Sequence, residues 1–467
     1  MDPKLTIYTK MPLALKSMSI SIMQGMDKLR FKKWVDSAYT ELMESQWFSR
    51  NELLELQFQR LKKLLIYANE NVPYYNRVFK RFGVMPKSMN DFEIMKKIPF
   101  LTKDIIRRNF NELISTNIPK SQMFHSHTSG TTGSPLSFYM DLRTQGYYRA
   151  HILRHRAWWG FNFKEYTASF GGKTVIPIYQ TRPPFWVTDI PDKLIIFSSF
   201  HLKPRFMEYM IEYILRTGIK AIKGYPSNLY ILAQYLKSRN AYLPMKFVFT
   251  GAEPVYPYMR SLIEERFKCE VSDFYGNSEE TARAYECKKH MCHIAMESIY
   301  LEIVNEEGSP CKIGEIGEIV GTSLTNYAMP FIRYKTGDLS SFVDNCDCGL
   351  SLPVISQVTT KVEDIILSKD SRMVSPSALT HPFKPLDPLA VLKSQIIQRK
   401  IGKITVKIVK GPGFSSAQEE MLLRNFRERF GDLLTVKIEF VDEIPKTANG
   451  KYRWVISDLT KNNLKFG

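Results

Sequence analysis

The sequence predicts an α/β protein, with a large N-terminal multi-layer α/β domain that includes a strand-rich subdomain, and a small α+β C-terminal domain. Three observations support this fold class. The chain has 467 residues, of which 44% are hydrophobic and 13% aromatic, enough to build more than one core. Strand and helix patterns alternate between residues 190 and 270, as in layered α/β folds. Short strand patterns then replace this alternation near residue 300, and a strand–helix–strand pattern follows residue 400.

Helices with recognisable caps are predicted in the N-terminal third. Ser49 precedes an apolar pattern of helical period and Glu52 stands three residues later, which is the capping-box pattern; Pro73 ends that helix. The segment "IPFLTKDIIRRNF" predicts a turn that leads into a second helix. Asp141 can cap a further helix through "LRTQGYYRAHILRHRAWW", which Gly160 closes.

Strands and helices alternate through the middle of the chain. The strand patterns are "DKLIIFSSF", "IKAIKGYPS" and "MKFVFTGAEPV", and the helix patterns are "PRFMEYMIEYILRTG", "NLYILAQYLKSRN" and "MRSLIEERFK". Short strands follow in "IYLEIVNEEGSP", "GEIGEIVGTSL" and "MPFIRYKTGDLSSFVDN". Strand "KITVKIVK", helix "SSAQEEMLLRNFRERFG" and strand "LTVKIEFVD" form the last unit. We therefore place a domain boundary near Thr360, giving a large domain over residues 1–360 and a small domain over residues 361–467.

Composition limits the classes of function. The 65 Lys and Arg residues against 47 Asp and Glu residues give a net charge of +18, which favours nucleotides, anionic glycans, membrane surfaces or nucleic acid as partners. The basic residues are scattered, and no zinc-finger, RNA-recognition or basic-zipper pattern is present, so nucleic acid is the least favoured. No run of 18 apolar residues predicts a spanning helix, and six cysteines are too few for a disulfide framework. These features predict a cytoplasmic protein.

The first 34 residues allow two interpretations. Their basic residues and mixed apolar stretch fit an amphipathic helix in peripheral contact with a membrane, or an ordinary helix packed on the domain. Lys16 interrupts the apolar stretch and no small-residue cleavage site follows, so a signal peptide is not predicted. The packed helix is the preferred interpretation.

The stretch "HSHTSGTTGSPLSFYMD" is unusually rich in small hydroxyl residues and glycine. Such a loop can bring backbone N–H groups and hydroxyls close to phosphate oxygens. It lacks the lysine of a Walker A motif and precedes a strand pattern, so a phosphate site at a helix N-terminus does not fit. Composition alone leaves a flexible linker as the alternative.

Five motifs occur in order along the chain: "TSGTTGSP", "TGAEPV", "FYGNSEE", "RYKTGDL" and "PKTANGKYR". Together they resemble the signature motifs of the AMP-forming acyl-adenylate ligases. Within that superfamily, "NVPYYNRVF", "IPFLTKDII" and "IKGYPSNL" resemble the phenylacetate–CoA ligase branch, especially its capsular-polysaccharide-associated CapK-type members. The resemblance covers roughly residues 55 to 455. It implies an acyl-CoA synthetase-like fold whose small C-terminal domain is mobile.

The same resemblance implies two half-reactions. A carboxylic acid and ATP give an acyl-adenylate and pyrophosphate, and an acceptor then displaces AMP. The first step requires that the phosphates be held and their charge offset while the carboxylate attacks. The residues that match the family's phosphate loop are Thr128, Ser129, Gly130, Thr131, Thr132 and Gly133. Ser134 stands where many relatives carry lysine, so this loop would bind through hydroxyls and backbone.

Two further motifs are implied to hold adenosine and metal. Tyr275 resembles the residue that stacks on adenine, with Gly276 beside it, and Ala252 and Glu253 are candidates for contacts with the base. Glu279 resembles the carboxylate that holds Mg²⁺ against the phosphates, because oxygen ligands suit that hard cation. A solvated surface acid is the alternative for Glu279.

Two charged residues complete the implied nucleotide site. Asp338 matches the acid that accepts hydrogen bonds from both ribose hydroxyls, although "TGD" alone would indicate a turn. Lys451 resembles the mobile catalytic lysine that contacts the α-phosphate and the incoming carboxylate. Lys446 is the rival in the same loop, and the "GKxR" register favours Lys451.

The hinge departs from the family pattern. Relatives usually carry Gly-Arg-x-Asp-Asp, whereas this chain has "TKVED", with Thr360 and Lys361 in place of Gly-Arg. Lys361 keeps the charge but not the two-pronged donor geometry of arginine. Glu363 occupies the hinge position, and Ser371 stands where relatives often place glycine near the acceptor channel. These departures bear on the CoA-dependent step more than on adenylation.

Cysteine and histidine residues cluster in "ECKKHMCHIAME" and "DNCDCGLSLP". Cys346 and Cys348 with Cys287 and one further residue would supply four ligands suited to tetrahedral structural Zn²⁺. Similar sets occur in some relatives, and matching them makes His293 the fourth ligand, with Cys292 or His290 as alternatives. Free cytosolic thiols are the other interpretation, because the spacing is looser than that of paired CxxC motifs.

These observations predict an adenylate-forming ligase that uses ATP and Mg²⁺ on a small-molecule carboxylic acid. CoA is the acceptor that the branch implies. An amine or hydroxyl of a glycan precursor or amino acid, in surface polysaccharide synthesis, is the alternative that the hinge departures and the charge favour. A non-catalytic glycan- or nucleic-acid-binding protein on the same scaffold is the alternative of another class.

Overall fold

The computed structural model describes residues 11–127, 136–172, 175–177, 180–358, 366–369, 373–374, 379, 381–383, 386, 390–445 and 453–459. Its α-helices are α1 (Leu13–Ser45), α2 (Arg50–Asn71), α3 (Pro73–Arg81), α4 (Ile94–Lys97), α5 (Lys103–Arg108), α6 (Leu142–Trp158), α7 (Pro204–Thr217), α8 (Pro226–Ser238), α9 (Pro257–Phe267) and α10 (Ser416–Phe430). Its strands are β1 (Met123–His127), β2 (Ser137–Asp141), β3 (Thr167–Phe170), β4 (Trp186–Asp189), β5 (Leu194–Phe197), β6 (Ala221–Gly224), β7 (Phe247–Thr250), β8 (Val271–Ser272), β9 (Phe274–Gly276), β10 (Arg283–Glu286), β11 (Cys292–Ile294), β12 (Ile299–Val304), β13 (Gly317–Ser323), β14 (Tyr334–Ser340), β15 (Phe342–Val343), β16 (Val354–Ile355), β17 (Ile366–Leu367), β18 (Met373–Val374), β19 (Val391–Lys400), β20 (Lys403–Lys410), β21 (Thr435–Phe440) and β22 (Val455–Ser457).

The chain divides into two compact units, each built from separate stretches of sequence. Unit 1 comprises Met1–Gly25, Asn162–Asp273 and Thr359–Gly467, and unit 2 comprises Met26–Phe161 and Phe274–Val358. The small C-terminal domain from residue 361, mobile against residues 1–360, stays a prediction.

Unit 1 contains a six-stranded sheet in the order β4-β5-β3-β6-β7-β8. All neighbours are parallel except β4 and β5. The helices between these strands each begin with a proline at the first turn (Pro204, Pro226 and Pro257), where no backbone donor is needed. Gly218 ends α7 in the left-handed conformation, with φ +67°. The alternating patterns therefore predicted this part correctly, and the α/β fold class is confirmed.

A second sheet of unit 1 has the order β21-β20-β19-β22. Strand β20, helix α10 and strand β21 follow the predicted strand–helix–strand pattern, whereas β19 was not predicted. Gln398 is fully buried in β19, and its side-chain amide donates to the Leu367 carbonyl (2.7 Å) and accepts from the Leu367 N–H (2.8 Å). A buried amide that bonds like a backbone group interrupts the apolar alternation by which a strand is recognised.

Unit 2 contains the helices whose N-terminal caps were predicted. Ser49 and Glu52 form the predicted capping box at α2, and the Asp141 carboxylate accepts from the Thr144 N–H (2.8 Å) at the start of α6. Strands β1 and β2 pair as an antiparallel hairpin, with His127 opposite Ser137. Two antiparallel sheets follow, in the orders β15-β16-β11-β10-β9 and β12-β13-β14. They correspond to the predicted strand-rich subdomain.

Helix α1 is partly packed and partly exposed. Within unit 2, Ala38 and Leu42 pack with Tyr147 of α6. Met26 and Leu29 are exposed. Over the described residues, no helix is both long enough and apolar enough to span a bilayer. Peripheral membrane contact by the N-terminal segment stays a prediction.

Candidate functional site

Some of the predicted site residues lie outside the described part of the chain. These are Thr128, Ser129, Gly130, Thr131, Thr132, Gly133, Lys361, Glu363 and Lys451. Strand β1 ends immediately before the small-residue loop and strand β2 follows it, as the strand pattern after the loop predicted. The other predicted residues are described, two in unit 1 and the rest in unit 2.

Ala252 and Glu253 follow the carboxyl end of β7 in unit 1. At this edge of a parallel sheet, open α/β proteins commonly bind their ligands. Glu253 accepts a hydrogen bond from the Ser227 N–H (3.2 Å) in the first turn of α8, where a carboxylate is favoured by the helix dipole. Thr250 at the end of β7 donates to Asp273 (2.7 Å). The backbone after β7 is thus fixed from two sides.

Four side chains of unit 2 form two hydrogen-bonded pairs. The Tyr275 hydroxyl donates to Asp338 Oδ2 (2.7 Å), and the Tyr334 hydroxyl donates to Glu279 Oε1 (2.7 Å). Glu279 and Asp338 are both buried, with 7% and 6% of their surface exposed. Among the described residues, neither carboxylate belongs to an ion pair.

Both tyrosines stay protonated and can donate only as neutral phenols. Burial, and then the Asp338 carboxylate, raise the pKa of Tyr275 well above its usual range. Burial, and then the Glu279 carboxylate, raise the pKa of Tyr334 in the same direction. Each bond therefore orients a carboxylate through a neutral donor. Within the described part of the chain, no hydrogen bond reaches the second oxygen of either carboxylate.

Three non-glycine residues with left-handed backbone fall within the motifs. They are Ala252 (φ +67°), Glu280 (φ +58°) and Arg333 (φ +53°). This conformation is unfavourable for residues with a Cβ and persists where surrounding contacts enforce it, often at functional sites. The strained positions thus coincide with "TGAEP", "FYGNSEE" and "RYKTGD".

The predicted metal ligands Cys287, His293, Cys346 and Cys348 come together in unit 2. Their ligand atoms all lie within 4.8 Å of one another. The Cys287 and Cys346 sulfurs are 3.7 Å apart, and the Cys348 sulfur is 3.2 Å from His293 Nε2. Two sulfurs on one tetrahedral zinc, each at about 2.3 Å, would be about 3.8 Å apart, so the cluster has suitable dimensions.

The environment of His293 fits a ligand role. Its Nδ1 lies 2.9 Å from the Leu352 carbonyl oxygen, so Nδ1 carries the proton and donates, and Nε2 is left with a lone pair. His290 instead bonds to Glu286 Oε1 (3.1 Å), and Cys292 is not in the cluster. Of the three alternatives for the fourth position, the geometry favours His293.

Tyr334 was not singled out from the sequence. It lies four residues before Asp338 on β14, and both side chains are buried. Tyr275 and Glu279 have the same spacing in "FYGNSEE". The repeated tyrosine–x–x–x–carboxylate spacing is a signal that could have identified it.

Comparisons with known proteins agree in family. A family profile described as the CapK C-terminal domain matches residues 366–458. The chain is 26% identical over 471 residues to protein CapK of Staphylococcus aureus, covering 97% of this chain and 99% of that protein. It is 30% identical over 399 residues to phenylacetate-coenzyme A ligase of Escherichia coli strain K12, covering 79% of this chain and 85% of that enzyme.

The fold also matches solved structures. One is 2-hydroxyisobutyryl-CoA ligase in the postadenylation state, in complex with 2-HIB-AMP. The TM-score is 0.70 at 18% sequence identity, with 89% of this chain and 92% of that chain covered. At this identity the likeness establishes the fold alone.

Proposed function

This chain belongs to the AMP-forming acyl-adenylate ligases, in the branch of the phenylacetate–CoA ligases and CapK-type proteins, and from that premise we propose that it activates a carboxylic acid with ATP and transfers the acyl group to an acceptor. The acid's carboxylate would attack the α-phosphate of ATP, giving an acyl-adenylate and pyrophosphate. The acceptor would then attack the acyl carbon and release AMP.

The observation that carries the proposal is the state of Glu279 and Asp338. These two buried carboxylates each have one oxygen held by a phenol and, among the described residues, no ion-pair partner, which suits them to bind a cation and sugar hydroxyls. We propose that Asp338 accepts hydrogen bonds from the ribose hydroxyls and that Glu279 holds Mg²⁺, a cation that prefers oxygen ligands. When bound, Mg²⁺ would offset the phosphate charge.

The remaining roles rest on the resemblance of the motifs. Tyr275 and Gly276 would lie against the adenine, with Ala252 and Glu253 as contacts of the base. Residues 128–133 would hold the β- and γ-phosphates. Lys451 would contact the α-phosphate and the attacking carboxylate, where negative charge develops in the transition state.

Exchange of labelled pyrophosphate into ATP tests this function without knowledge of the acceptor. A panel of aryl, fatty, amino and sugar acids is supplied one at a time, and the wild-type protein should give exchange with one class. Glu279→Gln and Lys451→Ala should lower that exchange about 100-fold or more. Glu307→Gln, on an exposed turn, is the control and should leave it unchanged. Exchange that survives in both site variants would contradict the assigned roles.

The acceptor has two candidates. CoA is what the names of the phenylacetate-coenzyme A ligase relatives favour. The match to protein CapK along 97% of this chain, with Lys361 in place of the family's arginine, favours an amine or hydroxyl of a glycan precursor or amino acid. With the acid identified, each acceptor is added in turn and AMP release is measured. The true acceptor should raise the rate of AMP release and appear in the acylated product.

A non-catalytic binding protein is the alternative of another class. Such a protein would bind a glycan or nucleic acid. It would not bind ATP and would give no pyrophosphate exchange with any acid. Nucleic-acid binding would weaken steeply as salt is raised. The burial of Glu279 and Asp338, with no ion-pair partner among the described residues, disfavours this alternative, because burying such carboxylates has a cost that a scaffold without ligands would not recover.

We also propose that Cys287, His293, Cys346 and Cys348 hold a structural Zn²⁺. Four protein ligands leave no open coordination position, so the ion would stabilise the loops and take no part in the reaction. Protein purified without chelator should contain about one zinc per chain, and Cys348→Ser should lower both zinc content and the unfolding temperature. Cys311→Ser, outside the cluster, is the matched control. Absence of zinc in the wild-type protein would contradict the assignment.

Cytoplasmic location is part of the same proposal. The six cysteines all lie in described residues and form no disulfide bonds there, which supports a reducing compartment.

A further inference from the structure

Two segments of unit 2 are joined by hydrogen bonds that cross between them. The first segment carries Tyr275 and Glu279, and the second carries Tyr334 and Asp338. The tyrosine of each segment donates to the carboxylate of the other, at 2.7 Å in both cases. We propose that Tyr334 is a positioning residue for Glu279 and Tyr275 for Asp338, each hydroxyl holding one carboxylate oxygen and leaving the other for the nucleotide. This inference rests on the proposed function.

Tyr334 has little freedom to move. It is fully buried, its backbone pairs with Gly321 of β13, and its ring packs on Phe331 with centroids 5.4 Å apart. A buried hydroxyl needs a hydrogen-bond partner, and Glu279 is the partner that this one has. The bond therefore fixes the carboxylate to a rigid strand.

Arg333 anchors the second segment. Its guanidinium donates to both oxygens of Glu302 (3.1 and 2.9 Å) and to the Ile98 carbonyl (2.7 Å), and its N–H donates to Thr322 Oγ1 (2.9 Å). These bonds enforce the left-handed backbone of Arg333, immediately before Tyr334. Strain held in this way sets the direction in which the strand begins.

The first segment is anchored by Asn277 and by Gly321. The Asn277 side-chain oxygen accepts from the N–H groups of Thr281 (3.0 Å) and Ala282 (3.1 Å), which closes the turn that contains Glu279. A Cβ on Gly321 would lie 2.0 Å from the Thr281 carbonyl oxygen. The turn thus rests directly on β13, the strand next to β14, and only glycine permits this approach.

The choice of tyrosine has an electrostatic consequence. An arginine or lysine in either place would neutralise the carboxylate and compete with a metal ion or a ribose hydroxyl. A neutral phenol fixes the orientation of the carboxylate without adding a positive charge beside it. Hydrogen bonds to a metal-binding carboxylate tune its affinity, and losing one typically weakens metal binding 10- to 100-fold.

The two pairs should have separable effects, because Glu279 and Asp338 have different ligands. We would measure binding of an ATP analogue with a methylene bridge between the α- and β-phosphates by calorimetry, without acid, over a series of Mg²⁺ concentrations. Mg²⁺ should increase the affinity for the analogue, and Tyr334→Phe should raise about 10-fold the Mg²⁺ concentration at which half of this increase is reached. The affinity measured without Mg²⁺ should not change. Tyr275→Phe, which keeps the ring, should weaken binding of the analogue more than binding of its 2′-deoxy form.

Tyr75→Phe is the matched control. Tyr75 is also buried in unit 2, and among the described residues its hydroxyl bonds to backbone groups alone, donating to Pro330 O and accepting from Ile332 N (both 3.0 Å). Its loss should lower the unfolding temperature and leave the Mg²⁺ dependence unchanged. An equal shift in Tyr75→Phe and Tyr334→Phe would overturn the proposal, because both would then act through general destabilisation.

A second test places Tyr334→Phe in the Glu279→Gln background. If Tyr334 acts through Glu279, its effect on Mg²⁺ dependence should disappear there. Mg²⁺-dependent binding by the wild-type protein with no change in Tyr334→Phe would overturn the positioning role alone. Failure of the wild-type protein to bind the nucleotide would overturn the proposed function, and this inference with it.

Discussion

Two pairs of buried or partly buried carboxylates in unit 2 differ in the groups that donate hydrogen bonds to them. Glu297 pairs with Arg154, both fully buried, and accepts a further bond from Ser45 (3.2 Å). Glu302 accepts two bonds from Arg333. Glu279 and Asp338 are similarly buried, but each receives one bond from a neutral phenol.

The contrast is sharpest between neighbours in sequence. Glu280 pairs with the Arg283 guanidinium, whereas Glu279, the preceding residue, bonds to Tyr334 and to no cation among the described residues. Burying a charge without a counter-ion is costly, so an arginine beside a buried carboxylate is expected of a scaffold. A neutral donor such as a phenol instead leaves room for a cation or a hydroxyl group to bind the carboxylate, as in the roles proposed for Glu279 and Asp338. Among these carboxylates, the difference follows the proposed division between framework and site.

The largest effect is expected on the framework side, from Glu297→Gln. The change leaves the Arg154 guanidinium buried without a counter-charge, which typically costs about 3–5 kcal/mol. Urea unfolding should report a loss of this size, with Glu307→Gln on an exposed turn as the control. A loss below about 1 kcal/mol would mean that Arg154 does not depend on Glu297.

On the site side, Asp338→Asn should affect activity. We expect pyrophosphate exchange to fall about 100-fold, because an amide can accept through only one of its two terminal atoms. Unfolding of the variant should be close to that of the wild type. A variant that is active but unstable would place Asp338 in the framework.

The surroundings of Arg154 also predict that the stability of the fold depends on pH. The Arg154 guanidinium donates to His151 Nδ1 (3.3 Å), and His151 Nε2 lies 2.5 Å from Ser298 Oγ, so the histidine is neutral with its proton on Nε2. Burial, and then Arg154, lower the pKa of His151 well below its usual value, and burial lowers the pKa of His155 to about 3.

The sign follows from the direction of these shifts. The unfolded chain takes up protons below about pH 6.5 where the folded protein does not, so stability is fully present above that pH and declines as the pH falls. Between pH 6.5 and pH 5, each histidine should lower the free energy of unfolding by about 2 kcal/mol. His151→Gln should reduce the slope of unfolding free energy against pH, measured with urea, by about 1.4 kcal/mol per pH unit, the contribution of one proton. An unchanged slope would contradict the neutral, buried state.

The smallest effect is expected for the stability of Glu279→Gln. The glutamine oxygen can still accept from Tyr334, and no cation loses a partner, so the change should stay within about 0.5 kcal/mol. Thermal unfolding beside Glu297→Gln checks this. A loss comparable with that of Glu297→Gln would remove the distinction between the two kinds of carboxylate.

Local patterns predicted much of the fold. The cap at Ser49, the cap at Asp141 and the alternation of α7 to α9 with strands were all visible, because each depends on residues a few positions apart. Strand β19 was missed because buried Gln398 breaks its apolar alternation. The assembly of unit 1 from three stretches of chain depends on contacts between distant residues, which no local pattern carries.

The same limit applies to the candidate site. Motif resemblance selected Glu279 and Asp338, and spacing and resemblance selected the cysteine cluster, but neither shows which partner a buried carboxylate has. That Tyr334 bonds to Glu279, 55 positions away in sequence, depends on how β14 packs against the turn at Asn277. Tertiary packing of this kind is the part that sequence could not supply.

The close approach at Gly321 predicts how a mutant allele at this position would behave. Replacement of this glycine by alanine would put a methyl group where the Thr281 carbonyl lies, and the nearest relief is for the turn carrying Glu279 to lift off its strand. The framework arginines would be untouched, so such an allele should yield an abundant protein whose defect deepens with temperature. A codon change outside the catalytic motifs would then be inherited as a conditional loss of function.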